Sequence, residues 1–160
     1  MAEAPKVLAI ASSGGHFVQL LRLMPAFRGT RLTVASTHPD LADLANRQAE
    51  RLGMPAPAFR TVTEANRWQK VRLAKSLLGI ARLILTLRPD VIVTTGAAPG
   101  YFALRLGRMA GARTVWLDSI ANAEELSLSG QKAGRHADLW LTQWPDLATP
   151  EGPRHLGAVL

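Results

Sequence analysis

Five consecutive residues, Ser12-Ser13-Gly14-Gly15-His16, hold the ingredients of anion chemistry: backbone that can approach a ligand closely, hydroxyls and amides that donate, and an imidazole that titrates near neutrality. They join an apolar run of strand type at 7–11 to an amphipathic run of helix type at 17–24. Strand, glycine turn and helix start is a phosphate-binding grammar, because the helix start offers unpaired N–H groups and a partial positive charge. His16 at the mouth of the turn serves as a general base or as a donor to the anion; its plain alternative is a histidine that caps the turn. The run is neither the G-x-G-x-x-G fingerprint nor a P-loop, since no Gly-Lys-Ser/Thr follows. A turn that only permits tight strand–helix packing is the competing reading.

Further strand-like runs at 32–35, 59–62, 91–94, 114–117 and 139–142 alternate with helical patterns. A helix over 41–52 follows an Asp40 cap, a long one covers 68–87, and a third over 101–109 opens behind Pro99-Gly100. Residues 156–159 read as a last short strand or a tail. This series predicts an α/β fold with a Rossmann-like parallel sheet and helices on both faces. Ligands in such folds gather beyond the carboxyl ends of the strands. The polar residues there are Ser12 to His16, Thr37 and His38, then Thr94, Thr95, Gly96 and Gly100, then Asp118 and Ser119, and finally Gln143 and Trp144. Thr94, Thr95, Gly96 and Gly100 suit phosphate or sugar contact, or else plain helix-start punctuation. Asp118 is a carboxylate at the end of the fifth strand run, or an N-cap of the segment that follows. His38, His136 and His155 read as surface or packing residues.

With 160 residues, 48% of them hydrophobic, the chain predicts one domain over 1–160. It has no cysteine, and Met1 to Lys6 lead directly into a strand without a signal peptide, so a cytoplasmic location is expected. The net charge of +7 and pI near 11.0 call for an anionic partner. Six basic residues and no acidic one lie between positions 67 and 88: Arg67, Lys70, Arg72, Lys75, Arg82 and Arg88. On a helix, Leu73, Leu77, Ile80, Ile84 and Leu87 share one face, Val71, Ala74, Leu78, Ala81 and Leu85 an adjoining one, and Arg72, Lys75 and Arg82 lie opposite. The second apolar face needs a cover: another chain, another helix, or lipid. Its central charges exclude a membrane span but suit an interfacial helix touching an anionic membrane through Trp68, Arg72, Lys75, Leu78, Arg82 and Leu85. An ordinary packed helix with a solvated basic edge is the alternative. Nucleic acid is disfavoured, since aromatics are only 6% of residues and no helix-turn-helix or RNP-like segment is present.

Three blocks in order resemble one family: Ser12-Ser13-Gly14-Gly15-His16-Phe17-Val18-Gln19-Leu20-Leu21, Arg88-Pro89-Asp90-Val91-Ile92-Val93-Thr94-Thr95-Gly96, and Ala137-Asp138-Leu139-Trp140-Leu141-Thr142-Gln143-Trp144-Pro145. With Leu126-Ser127-Leu128-Ser129-Gly130 they are similar to Alg14-type glycosyltransferase subunits and their bacterial relatives in exopolysaccharide and capsule assembly. The resemblance implies the acceptor-binding half of a GT-B enzyme, peripheral on the inner face of the membrane and paired with an Alg13-like donor-binding subunit. It implies inverting transfer from a UDP-sugar, hexosyl or N-acetylhexosaminyl, to a polyprenyl-diphosphate-linked saccharide, with no metal and no cofactor.

Within that resemblance His16 and Asp118 are the catalytic candidates. Ser12, Ser13, Gly14, Gly15, Thr94, Thr95, Gly96, Gly100 and Ser119 are the candidates for acceptor or diphosphate contact. Residues 148–160 form a candidate partner-contacting tail. The chain departs from the family where Glu-Ser followed by Arg is common: it has Asp118-Ser119 and then Asn122, a shorter carboxylate without the guanidinium. Eukaryotic members usually carry an amino-terminal anchor, so here membrane contact falls to the 68–87 helix. From another class, a non-catalytic membrane scaffold that recruits an enzyme is the alternative function.

Overall fold

A computed structural model describes residues 3–64 and 68–159; Arg67, the first of the six basic residues, and the extreme ends of the chain lie outside them. The strands are β1 (Lys6–Ile10), β2 (Arg31–Ser36), β3 (Ala58–Thr61), β4 (Val91–Thr94), β5 (Arg113–Leu117), β6 (Leu139–Thr142) and β7 (Arg154–His155). The helices are α1 (Gly15–Arg22), α2 (Leu41–Arg51), α3 (Lys70–Leu87), α4 (Ala97–Met109) and α5 (Leu128–Ala133). All strand pairs are parallel, in the order β3-β2-β1-β4-β5-β6-β7. This is a doubly wound sheet whose winding reverses between β1 and β4.

Alternation along β1 divides the core. Val7, Ala9 and Ala11 pack with Phe17, Leu20, Ala45 and Ala49 on the α1/α2 face. Leu8 and Ile10 pack with Ile80, Ile84 and Ala103 on the α3/α4 face. Strands buried on both sides read as continuous apolar runs, which is why these short segments are recognisable in sequence. Leu104, Trp116 and Ala133 form a third cluster between α4, β5 and α5.

Several boundaries differ from expectation. Asp40 stands at the start of α2 in helical backbone geometry and its side chain makes no capping bond. α3 begins at Lys70, with Trp68 in the preceding turn. α4 begins at Ala97, four residues before the expected start, because Pro99 fits a first turn that lacks N–H acceptors anyway and Gly100 packs on the Thr94 side chain. The last strand is Arg154–His155, and 156–159 continues without strand structure.

On α3 the side chains of Ser76, Ile80 and Ile84 are buried, and Leu73, Leu77 and Leu87 are half-buried. Among the described residues the second apolar face is largely uncovered: Ala81 is half-buried, but Val71 is 71% exposed, Leu78 71% and Leu85 69%, with Met109 of α4, 78% exposed, beside Leu85. Arg72, Lys75 and Arg82 are exposed as well. Among the described residues no helix is long and apolar enough to cross a membrane.

Candidate functional site

The glycine turn after β1 and the turn after β4 meet at the carboxyl edge of the two central strands, where α1 leaves toward one face and α4 toward the other. Both helices start on a glycine: Gly14 with φ 77° and Gly96 with φ 132°, conformations that a side chain disfavours. Ala97 follows with φ 65°, a strained value for a residue with a Cβ, in the same turn. The first N–H groups of each helix have no intrahelical acceptor. Gly14 and Gly15 are exposed, and Ser12, Ser13 and His16 half-buried, so this turn faces outward.

His16 binds the two turns together. Its Nδ1 lies 3.2 Å from Ser12 Oγ, and its backbone carbonyl accepts from Thr95 Oγ1 at 2.6 Å. The ring rests on Gly96, where a Cβ would stand 2.7 Å from Cδ2. Burial lowers the His16 pKa from its ordinary value of 6.5, while the negative charge of Asp118 pulls the other way. A neutral imidazole at pH 7 can accept a proton, and its geometry leaves Nε2 without a role in the Ser12 contact.

The threonine hydroxyls expected to meet a ligand are enclosed instead. Thr94 and Thr95 have no exposed surface. Thr94 Oγ1 accepts from Gly96 N at 3.1 Å, and Thr95 Oγ1 donates to His16 O. Gly100 is likewise buried against Thr94. These residues shape the turn from behind; the open backbone belongs to Gly14 and Gly15.

Asp118, 1% exposed, directly follows β5 on the same edge. Oδ1 accepts from Trp116 Nε1 at 3.0 Å and Ser127 Oγ at 2.7 Å; Oδ2 accepts from Asn122 Nδ2 and Ser127 N, both at 3.0 Å. Four donors match the roughly four lone-pair sites of a carboxylate. Ser127 also caps α5 by accepting from Gly130 N at 2.9 Å. Asn122 thus helps Asp118 hold residues 119–127 as a fixed loop leading into α5.

Gln143 is among the polar residues expected at the strand ends, whereas Gln19 is not a site candidate on sequence alone. Both are buried, and Gln19 reaches from α1 to Ser119 and Ile120 while Gln143 reaches back to Asp118 O. The available signal was a glutamine between Phe17 and Leu20 in an apolar helix stripe. Trp144 is half-buried and donates from Nε1 to Ile120 O at 2.8 Å. Ser13 N is held by Thr37 Oγ1 at 3.2 Å, and Ser119 is buried with its hydroxyl taking Gln19 Nε2. His38 is exposed near Glu64, His136 meets Tyr101 edge to face, and Nδ1 of His155 lies 3.3 Å from Thr142 O.

Sheet order, switch point and glycine turns define a Rossmann-like α/β domain of the kind that makes one half of a GT-B fold. MurG of Acinetobacter baumannii superposes with a TM-score of 0.70 at 16% identity, over 98% of this chain and 46% of MurG. A UDP-GlcNAc 2-epimerase of Neisseria meningitidis superposes with a TM-score of 0.60 at 8% identity, over 86% of this chain and 40% of that one. The chain therefore spans less than half of each of these proteins. Residues 7–159 match the family described as oligosaccharide biosynthesis protein Alg14 like, and the chain belongs to that family. The UDP-N-acetylglucosamine transferase subunit ALG14 of Eremothecium gossypii is 30% identical, over 89% of this chain and 74% of the relative. The mouse protein of the same name is 25% identical, over 91% of this chain and 78% of the relative.

Proposed function

We propose that this chain is the acceptor-binding, membrane-docking subunit of a two-chain glycosyltransferase, which transfers a sugar from a UDP-sugar to a polyprenyl-diphosphate-linked saccharide. The observation that carries the reading is the meeting of the turns after β1 and β4, where an exposed glycine turn opening α1 stands beside an imidazole whose burial favours the neutral form. The acceptor diphosphate lies on the Gly14-Gly15 turn with Ser12 and Ser13 alongside. His16 takes the proton from the attacking sugar hydroxyl as its bond to the anomeric carbon forms, UDP leaves from the opposite side, and the configuration inverts. Asp118, with its oxygens occupied, positions the 119–127 loop in place of acting as the base.

The donor site belongs to an Alg13-like partner, and the family names of the relatives as transferase subunits support a divided enzyme. Residues 1–160 act as a single domain, with 148–160 as a partner contact. The test is co-expression with a candidate donor-binding subunit and assay on a prenyl-diphosphate-linked sugar with UDP-GlcNAc and other UDP-sugars. Transfer only by the pair is expected; transfer by the candidate subunit alone, or none with any donor, overturns the reading.

The uncovered face of α3 is the membrane contact. Full burial of Val71, Leu78 and Leu85 is worth about 1.5–3 kcal/mol each, enough to favour a cover strongly. Arg72, Lys75 and Arg82 add about 1 kcal/mol each at an anionic surface. Because α3 follows β3, its Lys70 end lies at the same sheet edge as the glycine turns, which brings a membrane-held lipid toward them. Reversing those three charges to Glu is expected to weaken binding to phosphatidylglycerol vesicles by about 100-fold or more. Unchanged vesicle binding would assign this face to a protein contact.

A further inference from the structure

Two buried glutamines 124 positions apart are joined behind the glycine turn. Gln19 lies on the inner side of α1, one turn after His16, and Gln143 directly follows β6. Gln19 Nε2 donates to Gly15 O at 3.2 Å and to Ser119 Oγ at 3.1 Å. Its Oε1 accepts from Ile120 N at 3.0 Å and from Gln143 Nε2. Gln143 Nε2 donates also to Asp118 O at 3.0 Å, and Gln143 Oε1 accepts from Val159 N at 2.9 Å. A primary amide offers two donors and two acceptor sites, and Gln19 uses all four.

This arrangement has a mechanical consequence. α1 has eight residues, too few for a helix to hold its own position, so tertiary ties decide where its first turn stands. Core packing through Phe17 and Leu20 fixes the buried side of α1 but is not directional. The Gln19 amide supplies direction: it connects the carbonyl of Gly15 to two consecutive residues of the post-β5 loop. A buried amide with every site satisfied holds one orientation, because any rotation strands a polar atom out of water.

We propose that Gln19 and Gln143 form an amide lock that positions the Gly14-Gly15 turn for a diphosphate, so that Gln143 sets anion affinity at glycines it does not touch. Both are positioning residues. The lock acts through Gln19, which receives the Gln143 bond on one atom and grips Gly15 with the other end of its amide. The inference rests on the glycine turn being the diphosphate site.

The experiment measures inorganic pyrophosphate binding and the NMR resonances of the Gly15 amide and His16 ring in the full chain. It compares Gln19→Met, Gln143→Met and the double variant, each first shown to be folded by thermal unfolding. Gln143→Leu replaces Gln143→Met should the latter lose its fold. Each single change is expected to weaken pyrophosphate binding about tenfold, and the double no more than either single, since breaking one device twice is not additive. Gln143→Met should also shift the Gly15 amide and alter the His16 titration. Ser76→Ala, a buried hydroxyl on α3 outside the network, should leave every readout unchanged.

A folded Gln143→Met variant with wild-type affinity, or single losses that multiply in the double, overturns the lock. Should the wild-type chain fail to bind pyrophosphate, the diphosphate reading of the turn falls. The lock is then judged on resonances alone: unshifted Gly15 and His16 signals in Gln143→Met overturn it too, and shifted ones uphold the positioning.

Discussion

His16→Ala is expected to lower sugar transfer by about 10²–10⁴-fold in the assembled enzyme, the usual contribution of a positioned general base. Partner and vesicle binding should be unchanged, because the ring lies against Ser12 and Gly96 at the turns after β1 and β4, away from the exposed face of α3. The pH profile gives a second signature. Burial lowers the pKa of His16 from 6.5, so the neutral, base-competent form persists to more acid pH than for a free imidazole. Transfer should fall as the pH drops through this lowered value, and an acid limb lying above 6.5 would remove His16 as the base. Stability follows the same group. Between the lowered folded value and 6.5 the unfolded chain binds more protons than the folded one, so stability rises with pH in that window. The contribution is whole above 6.5 and is lost as the pH falls through the folded value. His16→Ala should flatten part of that slope, and His136, lowered by burial and by Arg105, Arg108 and Arg135, should leave the remainder. Chemical denaturation from pH 5 to 8, run on both proteins, measures the difference.

Asp118→Asn separates a base from an anchor. A residue that acted only as a base would lose its rate and keep its fold when changed to the isosteric amide. Here the amide would turn an NH2 group toward two donors, whichever way it is oriented, because all four partners of Asp118 donate. Trp116 is fully buried and Ser127 caps α5, so those donors have no easy route to water. Loss of charge-assisted bonds and stranding of buried N–H groups sum to about 2–4 kcal/mol of unfolding free energy. A drop of that size in urea unfolding, with slower transfer from a loosened 119–127 loop, is the expected result. Unchanged stability with abolished transfer would return Asp118 to the chemistry.

The comparison of β4 with α4 explains how far a sequence can be read here. Val91 to Thr94 form a strand as the pattern predicts, since a strand enclosed on both faces must be apolar throughout. α4 starts earlier than the pattern predicts, because a proline and a glycine that usually punctuate a helix start are tolerated inside the first turn. α3 shows the same division. Periodicity marked two apolar faces, and only packing against the sheet decided that Ile80 and Ile84 are covered while Leu78 and Leu85 stand open.

The candidate site was legible where chemistry is local. Ser12 to His16 are contiguous, and a glycine turn before an amphipathic helix carries its meaning in adjacent letters. Thr94, Thr95 and Asp118 were recognisable as polar groups at strand ends, but the direction of a side chain depends on partners far along the chain. Thr95 reaches His16 across 79 positions, and Gln143 reaches Gln19 across 124. By itself, then, the sequence determined the parallel α/β class, the charge, the glycine turn and the family resemblance, each of which rests on neighbouring residues or on periodicity. Tertiary structure alone decided which hydroxyls are spent inside the fold, how Asp118 is saturated and which glutamines meet, because those facts arise when the sheet order brings remote strand ends to one edge.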